Sequence, residues 1–164
     1  GRRKDRDGRS LAHLHRDDGL WVQERLLRLG MARVYSFRDN RAVVPEMLAA
    51  EQAARAARAG IWGHRWYRIW QQEDLRGGLD GFFLIEGTDL NSAKVRGRVY
   101  LNFGPNWRDD FTITVAPRDR RLFDKAGFDH TALPGRRVRV RGWLKYYNGP
   151  SIEATHPEQI EILD

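Results

Sequence analysis

The segment Asp5-Arg6-Asp7-Gly8-Arg9 holds the side chains best suited to chemistry on a phosphate. A phosphodiester under attack gains negative charge in its transition state. A fixed guanidinium at Arg9, with Arg6 beside it, stabilises that charge electrostatically. The same residues also read as a solvated turn in which Asp5 and Asp7 neutralise the two arginines. A second set lies far along the chain, where Arg137, Arg139 and Arg141 alternate in GRRVRVRGWLKYY and would share one face of a strand. Tyr100, Trp107, Arg108 and Tyr146, with Phe103, Trp143, Lys145 and Tyr147, are the aromatic and basic types on which single-stranded bases stack. Two plainer readings compete: large aromatics filling a small core, and arginines charging an exposed sheet edge against pairing.

Other candidates are weaker. His13 and His15 stand two apart, on one side of a strand, and suit zinc or copper, but no third ligand is near in sequence. The loop around Asn102, Gly104, Pro105, Asp109 and Asp110 carries two carboxylates and reads more simply as a solvated loop than as a cation site. Tyr35 and Phe37 alternate with Val34 and Ser36 as on a half-buried strand. Glu51 lies one helical turn before Arg55, an ordinary ion-pair spacing. His64 and His130 are scattered and receive no role; His156-Pro157 reads as a strand break.

The elements that must position these groups divide the chain. LAHLHR at 11–16 alternates as a strand, and Asp17-Asp18-Gly19 closes a turn. Val22, Leu26 and Leu29 have helical spacing that Gly30 stops. An Ala-rich helix is expected from about Pro45 to Ala59, followed by Gly60-Ile61-Trp62. Trp62, Trp66 and Trp70 are four apart, which predicts a packing stripe on one helical face. The polar stretch 71–80 reads as a linker, separating residues 1–70 from residues 81–164. Beyond it strand alternation takes over: FFLIEG, a loop TDLNSA, KVRGRVYLNFG, DFTITV, a short helix or loop RRLFDKAGF, then GRRVRVRGWLKYY and SIEATHPEQIEIL. Five or six strands with one helical insertion after the third predict a small Greek-key barrel of the OB type. The fold class expected is α+β, a partial barrel with helices followed by a second small OB-like β-barrel.

The order DxxGR at 5–9, then GMARVY at 30–35, then a helix ending in Gly60-Ile61-Trp62, resembles the thermonuclease (staphylococcal-nuclease-like) family. The resemblance aligns the first 63 or so residues with the C-terminal half of that domain. It implies a phosphodiesterase acting on DNA or RNA, with Arg9 as the arginine that contacts the phosphate. It also places Tyr35 in a stretch where family members set tyrosines near the nucleotide. Asp7 stands where the family often has an aromatic residue. The family's acids that hold Ca²⁺ lie in earlier strands, so the expectation is a chain without a metal site, inactive alone, from a larger Ca²⁺-dependent nuclease. The missing strands would come from upstream, from a cleaved fragment or from a second copy. Residues 79–164 resemble a module found behind such domains in bacterial proteins, on YLNFG and WRDDFT within 100–112, LPGRRVRVRGWL at 133–144 and GPSIEATHPEQIEIL at 149–163. That match bears on architecture rather than activity.

The bulk properties set bounds. The 164 residues suit one medium domain or two small ones, and the small halves leave thin stability margins. Arginine supplies 25 of 29 basic residues at a net charge of +7, which fits an anionic partner, with nucleic acid the default. The absence of cysteine excludes disulfides and Cys-type zinc sites. No apolar run approaches the roughly 18–20 residues that cross a bilayer. No compartment is read from the sequence, although the resemblance is compatible with an exported bacterial parent.

Overall fold

The computed structural model describes residues 3–5, 7–75, 77 and 79–163, and the chain divides into two compact units, 1–68 and 69–164. Among the described residues no helix is long and apolar enough to cross a membrane.

In the first unit the basic segment folds back on itself. Asp5 N–H donates to Arg9 O at 2.9 Å and Leu11 N–H to Arg3 O at 2.9 Å. Residues 11–16 do not form the strand their alternation predicts; a single antiparallel bridge joins His15 to Trp21. A glutamine takes the place of a partner strand: Gln23 Oε1 accepts from Leu14 N–H at 3.0 Å, and its Nε2 donates to Ala12 O at 3.1 Å. Helix α1, Val22–Arg28, buries Leu27, whereas Leu26 and Leu29 are exposed, contrary to the face expected from spacing. Apolar residues at 22, 26, 27 and 29 surround so short a helix on several sides, so packing against α2 rather than periodicity selects the inner face.

Helix α2, Val44–Ala56, carries Pro45 in its first turn, where a missing N–H costs nothing. Leu27, Val34, Val44 and Ala50 form the small core, with Ala32, Met47 and Leu48 packed on it. Glu51 is fully buried there, deeper than an ordinary helix-surface pair. Its Oε2 accepts from Val34 N–H at 2.6 Å, and its Oε1 lies 3.7 Å from Arg55 Nε.

Gly30 and Gly60 lock the two helix ends together. Both have positive φ, 67° and 52°, and Ile61 N–H donates to Gly30 O at 2.9 Å. A methyl on Gly60 would sit 2.3 Å from Gly30 O, and one on Gly30 would sit 2.1 Å from Ala59 O. Gly60→Ala therefore combines a disfavoured backbone conformation with a backbone collision. The expected result is a loss of more than about 1 kcal/mol in the stability of residues 1–68, read by amide hydrogen exchange in Leu27, Val34 and Ala50. Unchanged protection there would contradict the lock.

The tryptophan stripe is not helical. Residues Gly60–Gly63 and Arg65–Tyr67 form separate 3₁₀ turns, broken at His64, whose Nδ1 accepts from Trp66 N–H at 3.2 Å. Two glycines in four residues weaken any continuous helix. Trp62 is buried and Trp66 is exposed, while Trp70 belongs to the second unit.

That unit begins earlier than the linker read from composition. Trp70–Gln71 is a short strand β1, parallel to β2 (Gly81–Thr88), and Gln72 Nε2 donates to Phe103 O at 2.8 Å. Trp70, Leu75 and Leu79 pack on the barrel core, so residues 71–80 are partly structural. The remaining strands are β3 (Asn91–Val95), β4 (Arg98–Asn102), β5 (Thr112–Val115), β6 (Arg137–Tyr146), β7 (Pro150–Ala154) and β8 (Ile160–Ile162). The ladder runs β1-β2-β6-β7-β5-β4-β3, with β8 also on β6. Because β3 follows β2 after only Asp89 and Leu90, one nearly continuous stretch pairs with β6 through β2 and with β4 through β3, which curls the sheet. Two contacts are parallel, β1 with β2 and β5 with β7, the other pairs are antiparallel, and helix α3 (Arg120–Lys125) lies between β5 and β6. That is the Greek-key barrel of OB type expected from the strand count. Together with the helices of the first unit, it makes the chain α+β.

Two local readings differ. TDLNSA is mostly strand rather than loop, and KVRGRVYLNFG is a hairpin rather than one strand. Arg96 and Gly97 both have positive φ, 48° and 82°, the signature of a tight hairpin turn. Inside the barrel, Phe83, Ile85, Val99, Leu101, Phe103, Ile113, Val140 and Ile152 share one core with Phe123 of α3. Phe103 is thus a core residue. Trp143 points outward, edge-on to Phe82 at 6.3 Å between ring centroids.

Candidate nucleic-acid interface

The Arg9 turn is built around one carboxylate. Asp5 Oδ1 accepts from the backbone N–H of Asp7 at 2.9 Å and of Arg9 at 2.8 Å, and Asp5 Oδ2 takes Arg9 Nε at 2.6 Å. Partial burial acts to raise the Asp5 carboxyl, but the bonds from the Arg9 side chain and from both amides outweigh it and hold it below the ordinary aspartate range. Arg9 Nη2 also reaches Asp7 Oδ2 at 3.1 Å, and the Arg9 side chain keeps 75% of its surface open. The result is a guanidinium fixed at Nε by Asp5 and touched at Nη2 by Asp7, with most of its surface open. Arg6 lies outside the described residues.

Tyr35 and Phe37 are both exposed and stack edge to face, with centroids 5.0 Å apart. The histidine pair is used locally. Trp21 Nε1 donates to His13 Nδ1 at 3.2 Å, and His15 stacks on the same indole with centroids 6.3 Å apart. Among the described residues no three histidine or acidic side chains converge as a metal-binding group.

In the barrel, the arginine ladder does share one face, as strand geometry requires, but that face is crowded with acids. Glu86 of β2 takes Arg137 Nη2 at 3.0 Å and Arg139 Nε at 2.7 Å. Glu161 of β8 takes Arg139 Nη1 at 2.8 Å and Arg141 Nη2 at 2.8 Å. Arg141 is only 1% exposed. Its guanidinium stitches β6 to β8 and offers no surface to a ligand, and Arg139 is nearly as enclosed. Only Arg137 is open among the three, with 57% of its side chain exposed. Sequence reasoning missed Glu86 and Glu161, although Glu161 stands between two isoleucines in alternating register, which marks an outward position next to the ladder.

The exposed aromatics gather at one end of the barrel. The loop 103–110 is held by its own acids: Asp110 Oδ2 accepts from Asn106 N–H at 2.7 Å, and Asp109 takes the Asn106 amide. These carboxylates serve the loop rather than a cation. The loop presents Trp107, 53% exposed, with Arg108 Cζ 4.8 Å from the ring centroid. The β6–β7 hairpin presents Tyr146 at 42% and Tyr147 at 82% exposure. Burial pushes the Tyr146 phenol up, against an opposing bond at the Leu79 backbone. Hairpin and loop touch, since a methyl on Gly149 would come within 2.8 Å of the Asp109 carbonyl carbon and the Asp110 carbonyl oxygen. Trp107, Arg108, Tyr146 and Tyr147 are therefore neighbours on two abutting loops. Tyr100 lies apart, half-buried on β4 opposite Thr114. Beside it, Arg98 bridges to Thr114 Oγ1 at 3.3 Å and Glu153 Oε2 at 2.7 Å.

Comparison with known proteins is informative for the first unit. The family model described as "Staphylococcal nuclease homologue" matches residues 1–64. The chain is 36% identical over 63 residues to an uncharacterised protein of Bacillus anthracis, covering 38% of this chain and 29% of that one. It is 38% identical over 68 residues to the SPbeta prophage-derived endonuclease YokF of Bacillus subtilis, covering 41% of this chain and 23% of that one. The chain thus spans under a third of the length of these relatives. Among solved structures it is similar to an OBody, AM1L10, bound to hen egg-white lysozyme, with a TM-score of 0.43 at 13% identity, covering 60% of this chain and 94% of that one. Over residues 1–64, then, the chain is similar to the staphylococcal nuclease homologue family.

Proposed function

We propose that this protein takes part in the hydrolysis of nucleic-acid phosphodiesters, with Arg9 as the residue that meets the phosphate. The observation that supports this is the geometry of the Arg9 fork. Its Nε is pinned to Asp5, while most of the side chain remains open. A phosphodiester approaching the outer edge displaces the longer Asp7 contact and keeps the shorter Asp5 one. The guanidinium is then oriented before the substrate arrives, and its two outer donors match two phosphate oxygens. As a nucleophile adds, the charge on those oxygens grows and the contacts strengthen, which is the condition for lowering the barrier.

Calcium is the ion that the family resemblance implies. It takes about 6–8 oxygen ligands, and no such set is present among the described residues, since Asp5 and Asp7 are engaged by Arg9 and by the turn. Calcium enters the proposal only as a requirement of the full-length protein, and no step here runs through it. Hydrolysis of labelled DNA and RNA by full-length protein, with calcium and with chelator, tests the assignment. The purified 164-residue chain is expected to show no turnover by itself, and cleavage by that material would contradict the proposal.

The barrel supports a second role, in holding a single strand. Trp107 and Tyr147 stand exposed on touching loops, with Arg108 and Lys145 close in sequence to supply charge. Bases stack on such aromatics, and phosphates meet the cations. The expected result is that a fluorescent oligonucleotide binds with an affinity that falls steeply with salt. Trp107→Ala and Tyr147→Ala are each expected to weaken binding by about 1–3 kcal/mol. Absence of binding at low salt removes this role.

A further inference from the structure

Away from the aromatic loops, the barrel unit holds a cavity of about 410 Å³ between β3, β4 and β5 on one side and α3 with the segment 127–130 on the other. The volume falls within the range of roughly 300–1,000 Å³ typical of small-molecule sites. Its floor is apolar: Val99 and Phe123 are buried, and Phe128 lies edge to face on Phe123 with centroids 5.2 Å apart. Phe128 is half-buried, so part of its ring remains available on the cavity wall. The lining also includes the charged or titratable side chains Lys94, Arg120, Asp124, Asp129 and His130.

The two acids are occupied. Asp129 Oδ1 accepts from Thr131 N–H at 2.9 Å and from its hydroxyl at 2.6 Å, and Asp124 stands 3.8 Å from Arg120. Lys94 is exposed and has no ion pair among the described residues. Arg120 and Asp124 offset one another and Asp129 is bonded within its own turn, which leaves Lys94, among the described residues, as the lining cation without an ion pair, beside an aromatic and aliphatic wall. We propose that this cavity binds a small organic anion with a flat ring, its charged group held by Lys94, with Arg120 turning to it from its 3.8 Å contact with Asp124, and its ring laid against Phe128. Nucleoside monophosphates and aryl carboxylates share that chemistry. Neither the Arg9 turn nor the aromatic loops take part, so the site stands or falls apart from the phosphodiesterase reading.

Amide NMR titration of the 164-residue chain tests the site, with 5′-adenosine monophosphate, benzoate, adenosine and inorganic phosphate as probes. Shifts are expected at Val99, Gly127 and Phe128 with a ring-bearing anion, and at least about tenfold weaker binding with adenosine or phosphate alone. A response to the nucleotide alone assigns the site to nucleotides, and a response to both anions assigns it to aryl anions at large. Lys94→Gln lies at an exposed strand position where the fold does not depend on it, and it is expected to weaken binding about tenfold. Phe128→Leu keeps the apolar bulk but removes the ring, and should weaken the ring-bearing probes selectively. If no probe moves these amides, or if Lys94→Gln binds as tightly as the unaltered chain, the cavity is not such a site.

Discussion

Arg9→Ala is expected to lower phosphodiester turnover by the full-length protein by about 10²-fold or more, the usual effect of removing one preorganised donor from a developing oxyanion. The substitution should not unfold the turn. That turn is held by the Asp5 carboxylate on the backbone amides of Asp7 and Arg9, and by backbone bonds from Asp5 and Leu11, none of which uses the arginine side chain. Arg9→Lys keeps the charge but loses the planar fork, so turnover should fall between the two forms. Asp5→Asn provides the sharper control. It retains an acceptor for the amides but weakens the grip on Nε, so kcat should drop with little change in KM. Asp7→Asn removes the competitor for the outer nitrogen and should leave turnover unchanged or raise it. An Arg9→Ala protein with full turnover would remove Arg9 from the chemistry.

The second large effect concerns stability. Glu161→Ala is expected to destabilise the barrel unit by about 3 kcal/mol, near the lower end for breaking a buried ion pair, because the carboxylate is itself partly solvated. Arg141, 1% exposed, would lose a carboxylate contact at 2.8 Å, and Arg139 would lose one as well. The double change Arg141→Met with Glu161→Gln should recover much of that loss, since the buried guanidinium is then removed together with the acid that faces it. Chemical denaturation followed by the exposed Trp143, whose strand carries Arg141, measures both variants. If Glu161→Ala unfolds at the same denaturant concentration as the unaltered protein, the ladder is not holding β8 in place.

Several elements were legible because their signals are local. Asn148-Gly149 marks a hairpin, and both residues have positive φ, 51° and 87°. The alternation of Phe111, Ile113 and Val115 survives as the inner face of β5, and the Ala-rich run ending before Gly60 is α2. The strand-rich second half with one helical insertion pointed to a barrel, although the structure has eight strands among the described residues rather than five or six and places that helix after β5. Where the chain offered apolar residues on several sides, as in α1, spacing alone had no means of choosing a face. The Trp62–Trp66–Trp70 stripe failed for a related reason: period is only a statement about a helix if a helix forms, and Gly60 and Gly63 prevent one.

The sequence by itself determined the residue types: a DxxGR turn, an excess of guanidinium charge, and strands enough for an OB-type barrel. Tertiary structure alone decided which arginines are available. Arg9 is turned outward by Asp5, whereas Arg139 and Arg141 are consumed by Glu86 and Glu161, acids that lie 53 and 20 residues away along the chain. Spacing along one strand reports which side chains share a face. It says nothing of what the neighbouring strands place beside them, because that partner is fixed by sheet register, which only the folded chain possesses.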